Sequence, residues 1–372
     1  MSIEPIVMPK WGLAMEEGTL TKWAVAPGQA VGKGQEIADI ETTKIANVFE
    51  SPANGTIRRL VAPEGQTLSV GALLAVIADP SVPDSAVDAF IEKFQSEFTP
   101  AEKSVGGGPE SRIIDAGGLS VRTLSVGEGA GAPVLLVHGF GSDLMSWLFT
   151  QEPLAQGRAA HAFDLPGHGG TTKAIDAGGL SDLAAVTLAV MDSLGLEKVH
   201  LVGHSLGGAI SAHLAVTQPH RVASASLIAP AGLGPEINMG FIEGFIAETR
   251  ARKLKAVLQD LVVDPSLISA DMVEDVLKYK RLDGSQAALR LIAEANFGGG
   301  VQKTILKDEL ASAAMPIAII VGEEDRIIPP SHSEGLPASV RVTRLAGAGH
   351  IPHMEKSAGV NEAIRVNIAQ AG

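Results

Sequence analysis

The sequence contains no cysteine, and this absence removes several kinds of chemistry at once. Without thiols the 372-residue chain has no disulfide framework, no thiolate metal site and no cysteine nucleophile. A reducing compartment fits such a composition, so we expect a cytoplasmic protein. No motif in the chain predicts a bound metal.

Excess positive charge and long apolar runs are also missing. The formal net charge of -13 argues against a binder of duplex nucleic acid or of anionic membranes, since both depend on clustered cations. No apolar run approaches the length of a membrane span, and the first residues lack the basic and apolar regions of a secretory signal. A hydrophobic fraction of 45% predicts globular folding, and the length is sufficient for two domains.

Residues 1–79 contain an internal repeat with an offset of about 37 residues. Gly-Thr-Leu at 18–20 recurs as Gly-Thr-Ile at 55–57, and Gly-Gln at 28–29 recurs at 65–66. Two similar halves imply pseudo-twofold symmetry, and short β-rich runs between glycines and prolines predict a small two-sheet β domain. Between the halves, a polar tip joins two strand-like runs and places Lys44 on a hairpin.

This segment resembles lipoyl domains over nearly its whole length. The motifs that carry the resemblance are Met-Pro-Lys-Trp-Gly at 8–12, Glu-Glu-Gly at 16–18, Glu-Thr-Thr-Lys at 41–44 and Glu-Ser-Pro-Ala-Asn-Gly at 50–55. The resemblance implies that Lys44 carries lipoate in amide linkage. Biotinyl carriers share the fold but flank their lysine with methionines, whereas the neighbours here are Thr43 and Ile45. Lipoyl hairpins often have Asp directly before the lysine, at the place of Thr43.

Residues 80–111 have the composition of a linker, with several prolines and three consecutive glycines at 106–108. Inside it, apolar side chains on one helical face predict an amphipathic helix over 84–98. Those side chains are Val87, Phe90, Ile91, Phe94 and Phe98. We expect this face to pack on a flanking domain, because a helix this short is marginal alone. Docking of a partner enzyme is the alternative.

Residues 112–372 alternate strand-like and helical runs, which predicts a mostly parallel sheet covered on both faces. In such sheets functional residues collect at the carboxyl ends of the strands. The predicted strands are 120–126, 134–137, 159–163, 199–202, 225–228, 317–321 and 341–345.

Three residues in this half occur after predicted strands in the order serine, acid, histidine. Ser205 lies in Gly-His-Ser-Leu-Gly at 203–207, in the strand–turn–helix context that the Gly-x-Ser-x-Gly pattern requires. Asp325 and His350 each occupy a loop just after a strand. Neutral His350 would accept the Ser205 proton, and Asp325 would hold its tautomer and orientation. Three nearby residues could compete for these roles, and we expect them to be solvated or to line the wall of the site: Glu323, Glu324 and His353.

A glycine-rich turn, His-Gly-Phe-Gly at 138–141, follows the apolar strand 134–137. The backbone amides of Phe140 and Leu206 are the expected pair of donors to an oxyanion. We expect His138 to shape this turn. His168, in Asp-Leu-Pro-Gly-His-Gly at 164–169, is expected to belong to a structural turn and not to be the base.

The second half resembles the α/β-hydrolase superfamily across almost all of residues 115–370, through these two turns, the serine motif, Gly-Glu-Glu-Asp at 322–325 and the late Gly-His at 349–350. The implied fold class is multidomain: an N-terminal all-β lipoyl-type barrel-sandwich, then an α/β-hydrolase fold with a helical lid over about 234–310. The lid residues that are candidates to line a pocket are Met239, Phe241, Phe245, Tyr279 and Phe297.

The combination of the two halves resembles the dihydrolipoamide acetyltransferase component of acetoin-cleaving dehydrogenase systems. In that family a thiamine-diphosphate-dependent acetoin dehydrogenase loads an acetyl group onto the lipoyl arm, and coenzyme A receives it. The resemblance implies dihydrolipoamide dehydrogenase as a further partner and a homo-oligomer within a multienzyme complex. The His-x-x-x-Asp-Gly signature of pyruvate-type acyltransferases is absent, since Tyr279 precedes Asp-Gly at 283–284 where histidine is required.

Two other functions fit the same residues. A thioesterase or esterase with an appended lipoyl domain would deliver the acyl group to water, and a lipoyl carrier scaffold would contain an inert hydrolase domain. Direct attack of a thiol on the thioester, assisted by His350 alone, is an alternative to acylation of Ser205. No glycine-rich phosphate loop or basic cluster in the sequence indicates where coenzyme A binds.

Overall fold

A computed structural model describes residues 3–9, 17–42, 46–98 and 110–371. The chain divides into two compact units, Met1–Gly108 and Pro109–Gly372. Lys44 and its neighbours Thr43 and Ile45 lie outside the described residues. The glycines at 106–108 and most of the motif at 8–12 lie outside them as well.

The first unit contains two four-stranded sheets, ordered β1-β8-β6-β3 and β5-β4-β2-β7. Neighbouring strands within each sheet pair antiparallel. The strands are β1 Ile3–Val7, β2 Glu17–Trp23, β3 Ala30–Val31, β4 Glu36–Glu41, β5 Ala46–Glu50, β6 Gly55–Leu60, β7 Gln66–Ser69 and β8 Leu73–Ala78.

The sequence repeat corresponds to the strand order of these two sheets. The repeated Gly-Thr pair lies in β2 of one sheet and starts β6 of the other. Moving four strands along the chain converts the order β1-β8-β6-β3 into β5-β4-β2-β7, with β8 and β6 returning to β4 and β2. The pseudo-twofold relation predicted from the repeat is therefore present in the sheet topology. The apolar core between the sheets includes Ile6, Leu20, Ile40, Ile57 and Leu74.

Helix α1, Asp84–Glu97, packs on the first unit, and the predicted last residue Phe98 is its C-cap. Val87 is fully buried in a cluster with Leu73 and Val76 of β8. Ion pairs join Arg58 to Asp84 at 2.7 Å, and also Arg59 to Asp84 and Asp88. The apolar stripe assigned to the linker is thus a part of the first unit's core.

Truncating Val87 tests this attachment. Val87→Ala removes two buried methyl groups, so we expect the unfolding free energy of the first unit to fall by about 2 kcal/mol. Gln95→Ala changes an exposed residue of the same helix and should leave it within about 0.5 kcal/mol. Calorimetry of the intact chain measures both variants. Negligible changes in the unfolding free energy of both variants would show that the helix does not stabilise the first unit.

The second unit is built on an eight-stranded sheet, ordered β16-β15-β14-β13-β11-β12-β10-β9. The six strands β11 to β16 pair parallel with their neighbours among them, whereas β10 is antiparallel to β12 and to β9. The strands are β9 Arg112–Ala116, β10 Leu119–Val126, β11 Val134–Val137, β12 Ala160–Phe163, β13 Val199–His204, β14 Val222–Ile228, β15 Ile317–Gly322 and β16 Val340–Leu345.

Helices cover the sheet and form an insertion between β14 and β15. The α-helices are α2 Gln151–Leu154, α3 Leu180–Ser193, α4 Leu206–Thr217, α5 Met239–Ala247, α6 Ala251–Leu258, α7 Ala270–Lys280, α8 Ser285–Phe297, α9 Lys307–Leu310, α10 Pro352–Glu355 and α11 Ser357–Ala369. Short 3-10 helices are Leu144–Trp147, Pro219–Arg221, Gln259–Leu261, Pro265–Leu267 and Pro330–Ser333. Helices α5 to α9 occupy the predicted lid region, which we call the lid.

The seven predicted strands of this unit are all present, with ends that differ by up to three residues. The central strands β11, β13 and β15 are buried along their whole length, which explains their continuous apolar sequences. Strand β9 was not predicted. It lies at the sheet edge with mostly exposed side chains, including Ile113 at 60% exposure, so no burial pattern marks it. Within the described residues, no helix has the length and apolarity that crossing a membrane requires.

Candidate active site

Ser205 lies between the end of β13 and the start of α4, in a conformation rare for a residue with a side chain. Its φ of 51° and ψ of -114° place it in strained backbone. The flanking glycines allow this turn to close, because a Cβ on Gly203 would lie 2.2 Å from the Gly207 carbonyl oxygen. A Cβ on Gly207 would lie 2.0 Å from the carbonyl oxygen of Val137. The turn therefore presents Ser205 at the carboxyl end of the sheet.

The structure brings Ser205, His350 and Asp325 into one hydrogen-bonded chain. His350 Nε2 lies 3.0 Å from Ser205 Oγ, and His350 Nδ1 lies 2.8 Å from Asp325 Oδ2. A carboxylate only accepts hydrogen bonds, so Nδ1 carries the hydrogen and Nε2 is left to accept from the serine hydroxyl. The side chains of His350 and Asp325 are 3% and 1% exposed. This geometry can remove a proton from the hydroxyl.

Asp325 is held by the loop that follows β15. Its Oδ1 accepts hydrogen bonds from the backbone N–H groups of Ile327 and Ile328, at 2.8 and 3.0 Å. The other carboxylate oxygen is thereby directed to His350. Because both oxygens have donors, the buried carboxylate is fixed in orientation.

The turn at 138–141 lies directly against Ser205. A Cβ on Gly139 would come 3.1 Å from the Ser205 Cβ. The N–H groups of Phe140 and Leu206 have no acceptor among the hydrogen bonds of the described residues, and Leu206 is the first residue of α4, where helical N–H groups lack intrahelical partners. Two backbone donors next to the hydroxyl are the arrangement that stabilises an oxyanion.

His138 and His168 are structural, in agreement with the sequence analysis. His138 Nδ1 donates to the Gly139 carbonyl, while its Nε2 accepts from the Leu165 N–H at 2.9 Å. His168 Nδ1 donates to the Pro166 carbonyl, and its Nε2 accepts from the Gly141 N–H at 3.0 Å. Burial lowers the pKa of His138 to about 4 and that of His168 to about 3. Both rings are therefore neutral and fully engaged at neutral pH.

Two supporting residues were missed by the sequence analysis. His204 Nε2 donates to the backbone carbonyl of His350 at 2.8 Å and so fixes the loop that carries this histidine. Glu355 accepts from the N–H groups of Gly349 and Val263, both at 2.7 Å, and thus ties the same loop to the lid. Burial raises the pKa of the Glu355 carboxyl. Neither contact follows from local sequence, because each partner is distant along the chain or donates through its backbone.

The neighbouring acids and the second histidine have no contact with Ser205 among the described hydrogen bonds. Glu323 and Glu324 are exposed, and Glu324 accepts from the Ala348 N–H at 3.2 Å. His353 is fully buried, with its ring centroid 4.6 Å from that of His204 and 4.9 Å from that of Trp147. His353 thus packs in the interior against these two rings.

Aromatic lid residues pack on the side chain of Phe140. The ring centroids of Phe245 and Phe297 lie 5.9 and 6.2 Å from that of Phe140. Phe241 is 6.1 Å from Phe245 and belongs to the same buried cluster, while Met239 and Tyr279 are partly buried beside it. The candidate pocket residues are thus mainly core that packs against the turn at 138–141.

The hairpin expected to bear Lys44 is formed by β4 and β5. These strands pair antiparallel up to Glu41 opposite Ala46, and Lys44 lies between them in the sequence, outside the described residues. Glu41 at the strand end is exposed. Among the described residues, no group of three or more His, Asp or Glu side chains is arranged to hold a metal ion.

Comparisons with known proteins match both units. The model of the alpha/beta hydrolase fold family matches residues 132–357, and that of the biotin-requiring enzyme family matches residues 4–77.

Two curated relatives match nearly the whole chain. Both are dihydrolipoyllysine-residue acetyltransferase components of acetoin cleaving systems. The protein from Cupriavidus necator is 41% identical over 99% of this chain and 98% of its own length. The protein from Pseudomonas putida is 42% identical over 97% of each. This chain belongs to that family.

A solved structure shares the fold of the second unit of this acetyltransferase family member. The meta-cleavage product hydrolase from Pseudomonas fluorescens superposes with a TM-score of 0.63 and 21% identity, over 71% of this chain and 98% of that chain. The sheet and lid architecture is therefore that of α/β-hydrolases.

The buried neutral histidines make the second unit sensitive to acid. In the unfolded chain the His168 pKa is near 6.5, whereas in the fold it is about 3, so below pH 6.5 only the unfolded state gains the proton. Between pH 7.5 and 5.0 this linkage removes about 2 kcal/mol of stability. In His168→Gln we expect the pH-dependent loss, measured by urea unfolding at both pH values, to shrink by that amount. The exposed His220→Gln is the control, and an unaltered loss in His168→Gln would contradict the assignment.

Proposed function

We propose that this protein transfers an acetyl group from a lipoyl thioester to coenzyme A through an acetyl ester on Ser205. The observation that carries the proposal is the chain from Asp325 through His350 to Ser205, with contacts of 2.8 and 3.0 Å. Membership of the acetoin-system acetyltransferase family supplies the acyl donor and the acceptor.

Lys44 is the residue that would hold lipoate. The bound group supplies a dithiol at the end of a long arm, one sulfur of which carries the acetyl group as a thioester. Two observations support this assignment: β4 and β5, which precede and follow the lysine in the sequence, pair antiparallel, and the family match over residues 4–77 indicates a carrier domain. Thr43 and Ile45 beside the lysine favour lipoate over biotin.

In the first half-reaction, His350 Nε2 accepts the hydroxyl proton while Ser205 Oγ attacks the thioester carbonyl carbon. The Phe140 and Leu206 amides stabilise the resulting oxyanion. The carbon–sulfur bond then breaks, and the departing sulfur receives the proton from His350. The products are a free thiol and an acetyl ester on Ser205.

In the second half-reaction, His350 accepts the proton of the coenzyme A thiol, and the thiol sulfur attacks the carbonyl carbon of the acetyl ester. The ester carbon–oxygen bond breaks, and the proton returns to Ser205 Oγ. Asp325 holds the histidine with Nδ1 protonated and stabilises the imidazolium formed in each step. No net proton or electron is consumed.

The family relatives are components of acetoin cleaving systems, so we infer that this protein works in a multienzyme complex. We propose a thiamine-diphosphate-dependent acetoin dehydrogenase as the enzyme that loads the arm and dihydrolipoamide dehydrogenase as the enzyme that reoxidises it. Assembly of the acetyltransferase as a homo-oligomer in the cytoplasm completes this proposal.

The decisive experiment supplies S-acetyl-dihydrolipoamide and coenzyme A and follows acetyl-CoA and free acetate separately. The parent protein should produce mainly acetyl-CoA. Ser205→Ala and Asp325→Asn should each lower kcat by about 10³-fold or more, because one lacks the nucleophile and the other the tautomer-fixing acceptor. Lys44→Arg is the matched control, since a free donor does not need the attached arm.

Each alternative gives a different result in the same experiment. Mainly acetate from the parent would make the protein a thioesterase. Unchanged acetyl-CoA formation by Ser205→Ala would support direct thiol attack, and no product of either kind would support an inert scaffold. In the assembled complex, Lys44→Arg should lose acetoin-dependent acetyl-CoA formation while keeping turnover of the free donor.

A further inference from the structure

The lid contains a cluster of positive charge within an acidic protein. Four cationic side chains occur in the six-residue segment 250–255, which includes the N-cap and the start of α6. They are Arg250, Arg252, Lys253 and Lys255, which we call the lid basic patch. The first three are exposed and Lys255 is half-buried. The whole chain has 29 Lys and Arg against 42 Asp and Glu, so this density of cations is exceptional for it.

Little negative charge compensates the lid basic patch. Among the described residues, its one ion pair joins Lys253 to Glu248 at 3.8 Å, and the Lys253 side chain is 63% exposed. A pair of this length with one largely exposed partner contributes little to stability. Arg250, Arg252 and Lys255 have no ion-pair partner within the described part of the chain.

Helix stability does not explain these residues. Arg252 and Lys253 occupy the first turn of α6, and that turn has no acidic residue. Positive side chains near a helix start are disfavoured by the partial positive charge of the helix dipole. The helix is anchored by the buried side chains of Leu254 and Leu258, whereas these two cations are exposed. Residues that oppose the stability of their own helix indicate a functional reason for their presence.

The patch lies on the segment that connects the two sides of the active site. Before it, the Phe245 ring of α5 packs on Gly141 and Phe140 of the oxyanion turn. After it, the carbonyl of Leu261 accepts a hydrogen bond of 2.8 Å from the backbone N–H of His350. Arg252 is six residues before the end of α6, which corresponds to about 9 Å along the helix axis.

We propose that the lid basic patch binds the phosphate groups of coenzyme A and so places its thiol at His350. This assignment rests on the proposed acetyltransferase function. Coenzyme A carries its phosphates on the nucleotide and its thiol at the end of a long pantetheine arm. A cationic surface set back from the reacting atoms matches this separation. Guanidinium and ammonium groups are the side chains that bind phosphate oxygens most strongly.

A pair of charge reversals tests the site with two acceptors. Arg252→Glu/Lys253→Glu should raise KM for coenzyme A by about tenfold or more, because charge-assisted hydrogen bonds to phosphate are replaced by repulsion. KM for pantetheine, which has the thiol but no phosphate, should stay within twofold by this account. Glutamate is favoured in a first helical turn, so α6 is retained.

The matched control carries the same change in net charge elsewhere. Lys198 precedes β13 at the opposite end of that strand from Ser205, and Arg341 lies on the edge strand β16; both are exposed. Lys198→Glu/Arg341→Glu should leave KM for both acceptors unchanged. An equal rise in KM for coenzyme A in this control would overturn the proposal, since it would show a general charge effect.

Two other outcomes also overturn it: an unchanged KM for coenzyme A in the patch variant, or equal losses with coenzyme A and pantetheine. If the parent acetylates neither thiol, the proposed function fails, and binding of adenosine 3′,5′-bisphosphate measured by calorimetry tests the patch separately. Binding by the parent that is weakened about tenfold in the patch variant supports the anion site, and undetectable binding by the parent removes it.

Discussion

The close approach of two backbone segments beneath Ser205 is the constraint on which the second unit depends. Gly203 and Gly207 allow the strand–turn–helix to close, and Gly207 packs on the carbonyl of Val137, which directly precedes the turn at 138–141. Ser205 keeps its strained φ of 51° only because this packing leaves no alternative. One contact therefore sets both the position of the hydroxyl and the position of the amide donors beside it.

Burial determines the electrostatics around this constraint. His138 and His168 are kept neutral by desolvation and use both ring nitrogens to shape the turns that flank the site. His350 differs from them because one nitrogen contacts the Asp325 carboxylate and the other contacts the serine hydroxyl. The buried Asp325 carboxylate thus distinguishes His350, the expected base, from the structural rings of His138 and His168.

Much of the fold was predictable because its signals are local. The repeat predicted two equivalent sheets, the apolar runs at 134–137 and 317–321 predicted buried parallel strands, and the loop positions of Asp325 and His350 predicted their meeting. Edge strand β9 was missed because an edge position leaves no burial pattern. His204 and Glu355 were missed because they act on backbone groups of distant residues, which no spacing rule indicates.

The central claim is that the acetyl group passes through Ser205, and trapping the ester tests it most directly. The parent protein would be mixed with S-acetyl-dihydrolipoamide without coenzyme A, quenched in acid, digested and examined by mass spectrometry. We predict an acetyl group on the peptide that contains Ser205, removed when coenzyme A is added before the quench. An unmodified Ser205 peptide at every quench time, in a preparation that forms acetyl-CoA once the acceptor is supplied, would contradict the account and leave direct thiol attack assisted by His350.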